Sequence, residues 1–593
     1  MRTLWFVLAL LLSVPSFAQN DALGKNYFEK GDYEKALVIF KKLKRQNPHR
    51  TDYATYILKS HQQLEDFESA EKIIMENLNS RRATPRFYVE LGYNYALQEK
   101  DSLANINYEK AINGVSENPF NAYTVGRAFS DYSLLDEAAA TYELAMKLDP
   151  ERDYNPQLAK IYGEQGKLDK MFETYIDLIH SNSGYRATAQ RNFSFYVTED
   201  SNNEANGILR KILLKKLQQQ PDVLFNELLS WLFIQQKEFK KAFIQEKAIY
   251  KRSEEDLRGI IDLLRIAIDE QMYEDAKEIV EFVIEKAPTP EIRLEGYQYL
   301  MNVELKLAQP KDYPAIENQY LKLFEEFGNG EATLALQIDF NHFLAFQNGR
   351  STEAIFNLKE LSKQRLSVFQ EARVKLKLAD ILVYDEKFNQ ALIYYTQVQK
   401  KVKSNVLAQE ARFKVAQTSY FKGDFEWAQI QLDVLKKSAS QLIANDAMEL
   451  SLLISDNSLE DSTQSALKKF SRADLLLLQN KNSQSLSVLQ DILTNHKGEK
   501  IEDEALLRMG EIYEVLGEYE QAEANYLKLI EFYKEDILAD DAHFRLAKLY
   551  EGPLAQPQKA KLFYEQIIFE FADSIYFVEA RKRFRMLRGD AIN

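Results

Sequence analysis

Small and aromatic residues recur along the first part of the chain at a fixed interval. Ala36, Ala70, Ala104 and Ala138 are each 34 positions apart. Large residues follow them by four, as Phe40, Ile74, Tyr108 and Tyr142, and Tyr27, His61, Tyr95 and Phe129 precede them by nine. Within each period the apolar positions repeat with helical spacing on two separate stretches, which predicts a pair of amphipathic helices. Leu91-Gly92 and Tyr95 share one face of the first helix, and Ala104, Tyr108 and Ala111 share one face of the second. Small residues let two helices approach, and the aromatics fill what space remains. Turn residues such as Gly31-Asp32-Tyr33 separate the helices, and Pro48 and Pro150 follow the second one. Glycine accepts the helix-ending conformation and proline blocks continuation.

The same pattern predicts how the rest of the chain is organised. A fifth unit carries Leu158, Ala159, Tyr162, Met171 and Tyr175. From Asn182 to Gln220 the anchors become irregular, which predicts a degenerate pair and a hinge. Phe239 with Ala242 and Tyr273 with Ala276 restore the spacing of 34, and Pro288 closes that unit. Beyond it Ala354, Ala391 and Ala428 are 37 apart, as are Ala473, Gly510 and Ala547. Between these blocks, Gln441 to Lys469 reads as one supernumerary helix with a polar loop at Ser455 to Ser465. The expected divisions are 1–18 as an export signal, 19–181 as a 34-residue array, 182–330 as degenerate repeats, and 331–593 as a 37-residue array. About 15 helix pairs account for the chain at the usual repeat size.

The unit from Ala122 to Pro150 carries Val125, Gly126, Phe129, Ala138, Tyr142, Ala145 and Pro150. In this it resembles the tetratricopeptide repeat family, whose pattern is Leu-Gly-x-x-Tyr on one helix, then Ala-x-x-x-Phe-x-x-Ala and Pro on the next. The resemblance implies an all-α solenoid, a superhelix whose concave groove holds proteins or extended peptide segments. In such repeats the position after the small residue of each first helix lines the groove. Here that position is Lys25, Lys59, Tyr93, Arg127 and Lys160 in the early units, and Asp380, Gln417, Asp474, Glu511 and Lys548 in the later ones. A basic early groove and a more acidic later one would orient an extended partner electrostatically. Lys25, Lys59, Arg127 and Lys160 are expected to take an acidic or carboxylate-bearing segment, with Tyr93 and Tyr123 packing beside it. The competing reading is that exposed helix positions simply carry charge. The closing units, with Met509-Gly510, Tyr513, Gly517, Tyr519, Ala522 and Tyr526, resemble repeats of periplasmic proteins that serve outer-membrane assembly and the Tol-Pal system.

Composition narrows the chemistry. Among 593 residues, 45% are hydrophobic, and only 20 Gly and 13 Pro occur, which suits long helices with short turns. A net charge of -14 disfavours nucleic-acid partners, and the absence of cysteine excludes disulfides, thiol nucleophiles and acylated lipoprotein cysteines. Arg2, the apolar run Leu4 to Leu12 and the small-residue ending Ser16-Phe17-Ala18 read as an export signal cleaved near Gln19. No later stretch is apolar enough to span a membrane. Only six histidines occur, His49, His61, His180, His342, His496 and His543, with no pair spaced by four. His61 occupies a core aromatic position. No zinc-protease, phosphate-loop or dinucleotide motif is present. Arg581, Lys582, Arg583, Arg585 and Arg588 end the last helix, where cations complement the helix terminus or contact anionic headgroups or an acidic protein. The expectation is therefore a non-enzymatic scaffold without cofactor or metal, placed in the periplasm or on the periplasmic face of the outer membrane, with peripheral envelope association. The rivals are a permanently docked component of an outer-membrane assembly or secretion machine, and a hydrolase with a concealed site.

Overall fold

The computed structural model describes residues 21–48, 50–80, 83–253, 255–403, 405–438, 441–458 and 463–589. The predicted export signal and His49 lie outside them. The described residues form an all-α solenoid of antiparallel helix pairs, with no strand among them. The chain divides into two compact units, Met1–Glu255 and Asp256–Asn593. The first holds seven helix pairs, from the helix at 21–29 with Tyr33–Gln46 to Val223–Gln235 with Phe239–Arg252. The second holds eight pairs and two further helices, Gln441–Asp456 and the terminal Phe577–Arg588. The expected boundaries at 181/182 and 330/331 each fall inside one unit.

One recurring bond holds the turn between paired helices. The amide of Asp32 donates to the Tyr27 carbonyl at 2.8 Å, and the same bond recurs as Asp66 to His61, Lys100 to Tyr95, Leu134 to Phe129 and Lys167 to Tyr162. This six-residue bond closes a helix with one left-handed residue. That residue is Gly31 or Gly166 in two units and Glu65, Glu99 or Ser133 in the others. The turn therefore holds its geometry even where a side chain adds strain.

A second spacing fixes how the helices of a pair meet. A Cβ added at Gly126 would lie 2.5 Å from the ring of Tyr142, 16 residues on, and Cβ atoms at Gly92 and Gly510 would collide with Tyr108 and Tyr526. Where the first position is larger, the second shrinks, as with Leu58 and Ile74, both buried. Ala36, Ala70, Ala104 and Ala138 are buried on the facing helix. Because interiors are close-packed, the added bulk of Gly126→Leu has no space to enter. It should lower stability by about 1–3 kcal/mol. A shift in the urea midpoint checks this, and an unchanged midpoint would mean that the two helices do not meet there.

The irregular stretches carry local bonds of their own. In the predicted hinge, the short helix Arg186–Phe193 is joined to Glu204–Gln219 by a longer connection than its neighbours use. The buried Asn206 amide fastens that connection by donating to the Thr198 and Asp200 carbonyls, both at 2.8 Å, while its oxygen accepts from the Thr198 amide. Phe193 packs edge-on against Phe172 and Tyr175. The supernumerary helix is Gln441–Asp456, and it contributes Ala447 and Ile454 to the core around Phe470.

Candidate partner-binding surface

Within the first unit the first helices of successive pairs line one wall, and contacts that skip a repeat show that it curves inward. Lys59 Nζ, in the second pair, lies 5.2 Å from the centre of the Tyr132 ring, which follows the first helix of the fourth pair. Tyr93, from the pair between, stacks on the same ring with centroids 3.9 Å apart. Beneath them the buried Glu90 carboxylate accepts from the Tyr132 hydroxyl and from Arg86 Nη2. Burial and the adjacent Glu90 push the Tyr132 hydroxyl far above its ordinary pKa, so it stays a donor.

The expected groove residues differ in how they are engaged. Lys25 pairs with Asp21 at 3.3 Å and Lys160 with Glu164 at 3.4 Å, both on their own helices. Arg127 is exposed, and neither it nor Lys59 makes an ion pair among the described residues. Tyr123 is exposed as well, and its carbonyl accepts from the Tyr142 hydroxyl. The structure thus gathers Lys59 and Tyr93 around Tyr132. It places Arg127 and Tyr123 on the helix Ala122–Asp131 that leads to that ring. Tyr132 and Glu90 were not anticipated, since neither occupies a repeating anchor.

In the second unit the expected acidic positions are paired across repeats. Asp380 accepts from the Tyr395 hydroxyl at 2.6 Å and faces Lys414 at 3.7 Å. Asp474 accepts from the Tyr420 hydroxyl at 2.7 Å and faces Arg508 at 3.3 Å. Glu511 meets Arg508 at 3.3 Å and Arg545 at 2.5 Å. Gln417 accepts from Lys414 at 3.4 Å, and Lys548 is exposed near the Phe544 ring. Tyr526 and Arg545 hold Glu514, and Tyr564 and Arg583 hold Glu551, 37 positions further on. Each of these carboxylates except Glu511, which meets two arginines, is thus clamped by a tyrosine and by a cation from the following repeat. This wall carries alternating charge rather than bare acidity. The 37-residue spacing of Arg508 and Arg545 was a signal for this ladder.

Some charges on this wall remain poorly compensated. Burial pushes the Glu504 carboxyl up to about 8 and Asp503 up to about 6, each raised further by neighbouring acids. Burial lowers His342 to about 4, with Lys377 at 3.4 Å adding to the effect. His61 and His543 are buried and bonded to Asp66 and to the Ala539 carbonyl. Among the described residues no group of three metal-ligating side chains forms, and no helix is long and apolar enough to cross a membrane.

Tetratricopeptide repeats are found at two places in the chain. A family profile described as the tetratricopeptide repeat matches residues 22–49 and 504–536. The fold is similar to the solved structure of Naa15/Naa10 bound to HypK-THB, with 11% identity over 97% of both chains and a TM-score of 0.31. It is also similar to the APC/C hetero-tetramer Cut9-Hcn1, with 13% identity over 95% of both chains and a TM-score of 0.25. No curated protein matches the sequence.

Proposed function

We propose that the protein is a non-enzymatic scaffold that holds protein partners, or extended segments of them, against the inner wall of its first unit. The observation that carries this reading is the Lys59–Tyr132–Tyr93 stack with the unpaired Arg127 on an adjoining helix. An aromatic platform offers apolar contact to a backbone or side chain, and the two cations would select a carboxylate beside it. The partner is therefore an acidic or carboxylate-bearing segment. The site of action proposed is the periplasm or the periplasmic face of the outer membrane, supported by the export-signal pattern of Arg2, Leu4 to Leu12 and Ser16-Phe17-Ala18.

The test is capture of partners by crosslinking in intact cells, followed by pull-down, with the chain bearing Lys59→Glu and Arg127→Glu. Capture should fall several-fold and lose its salt dependence. The fold should persist, because Arg127 is exposed and the half-buried Lys59 gives up a cation–ring contact worth about 0.5–1 kcal/mol. Undiminished capture would show that these cations only solvate the wall. Recovery of the chain in the cytoplasmic fraction would overturn the location.

A further inference from the structure

The last repeats of the second unit carry an apolar row that the helix packing does not use. Phe532 is 67% exposed, Ile537 64%, Phe569 76%, Ile575 85% and Val578 77%. Phe532 is the last and Phe569 the penultimate residue of successive second helices, 37 residues apart. Ile537 and Ile575 stand in the connections that follow, and Val578 is the second residue of the terminal helix. In antiparallel pairs these places share one edge of the solenoid. Their chain neighbours point the other way, since Leu538 packs into the core and Tyr576 stacks on Phe544 with centroids 4.2 Å apart. The outward residues are therefore not leftovers of a poorly filled core. Five such side chains present roughly 500 Å² of apolar surface, near the upper size for a patch on a monomer.

The two ends of the row differ in charge. At the Phe532 end stand the exposed Glu531, Glu535 and Asp536, with Lys534 3.6 Å from Glu535. At the other end Arg581 and Lys582 are exposed and share the helical face of Val578, at spacings of three and four. Neither makes an ion pair among the described residues. Apart from the exposed Asp573 near Ile575, the surface is apolar in the middle, acidic at one end and basic at the other, and so is complementary to itself once rotated by half a turn. A two-fold axis through the row would set Arg581 and Lys582 of one copy against Glu535 and Asp536 of the other. An anionic bilayer fits less well, because Glu535, Asp536 and Asp573 lie along the same edge and would be repelled.

We infer that the Phe532–Lys582 edge binds a second copy of this chain in an antiparallel, two-fold dimer. This does not depend on what the inner wall of the first unit holds. Sedimentation equilibrium of the full chain should show a concentration-dependent monomer–dimer equilibrium. Changing Phe569, Ile575 and Val578 together to Ser should weaken it at least tenfold, about 1.4 kcal/mol, with the circular-dichroism melt unchanged. Arg581→Glu with Lys582→Glu should weaken self-association, as should Glu535→Lys with Asp536→Lys. Mixing these two chains should restore a dimer, because both charged contacts of the mixed pair are then opposite in sign, one of them reversed and the other as in the parent. A wild-type chain that stays monomeric over the accessible concentration range overturns the proposal. So does a dimer that survives the triple Ser change, or charge-reversed chains that fail to pair on mixing. A monomer that sediments with phosphatidylglycerol vesicles would overturn it in favour of a lipid surface.

Discussion

Replacing Arg508 with Met is expected to lower the stability of the Asp256–Asn593 unit by about 2–4 kcal/mol, more than any exposed charge on the wall should. Arg508 Nε lies 3.3 Å from Asp474 Oδ1, and Nη1 lies 3.3 Å from Glu511 Oε2. The Arg508 side chain is 32% exposed and that of Asp474 only 15%, so water screens the pair incompletely. Methionine keeps most of the aliphatic stem near the Phe470 ring, so the loss reads the charge rather than the packing. What remains is the Asp474 carboxylate with the Tyr420 hydroxyl as its one neutral donor, while Glu511 keeps Arg545. The cost is set below the full range for a buried pair because the guanidinium still reaches solvent. Urea denaturation measures it, and adding Asp474→Asn should recover much of the loss if the two groups are coupled. A single variant as stable as the parent would mean that the wall is solvated and its ladder contributes nothing.

That ladder marks where sequence reading reached its limit. The helix pairs were legible because two short-range rules repeat, the left-handed turn residue and the small residue with its ring 16 positions later. Gly126 with Tyr142 and Gly510 with Tyr526 state the packing almost directly. The inserted helix at Gln441–Asp456 was legible as a gap between two runs of 37. What lines the walls was legible only as a register position, since the residue after a small one must face outward from its own pair. Who meets it depends on curvature. Lys59 reaches Tyr132 across two repeats, and a period measured on neighbours carries no information about that distance. Asp474 takes the hydroxyl of Tyr420 from 54 positions earlier because the inserted helix brings together first helices that the interrupted period could not align. The acidic later groove was thus readable as composition and the spacing of Arg508 and Arg545 pointed to its cations, while which carboxylate each of them meets needed the fold.

The second large effect expected is a loss of stability with rising pH in the same region. In the folded chain Glu504 titrates at about 8 and Asp503 at about 6, against ordinary values of 4.5 and 3.8. Burial is the main cause for both. For Glu504 the charge of Asp503 adds to it, while Arg508 opposes it. For Asp503 the nearby Asp536 and Asp456 add a smaller push. Between the ordinary and the raised values the folded chain holds protons that the unfolded chain releases, so stability falls as pH rises. The contribution is complete below the ordinary carboxylate range and is lost as pH passes through about 6 and then about 8. With about 1.4 kcal/mol for each pKa unit, and some relief from solvent, the fall should be on the order of 2–4 kcal/mol. Urea midpoints followed by circular dichroism across that interval test it. Glu504→Gln removes the most strongly shifted proton while keeping the side chain's shape, so its midpoint should vary much less with pH than the parent's. Equal slopes in the two chains would place the Glu504 carboxyl in water and remove the physical basis of the prediction.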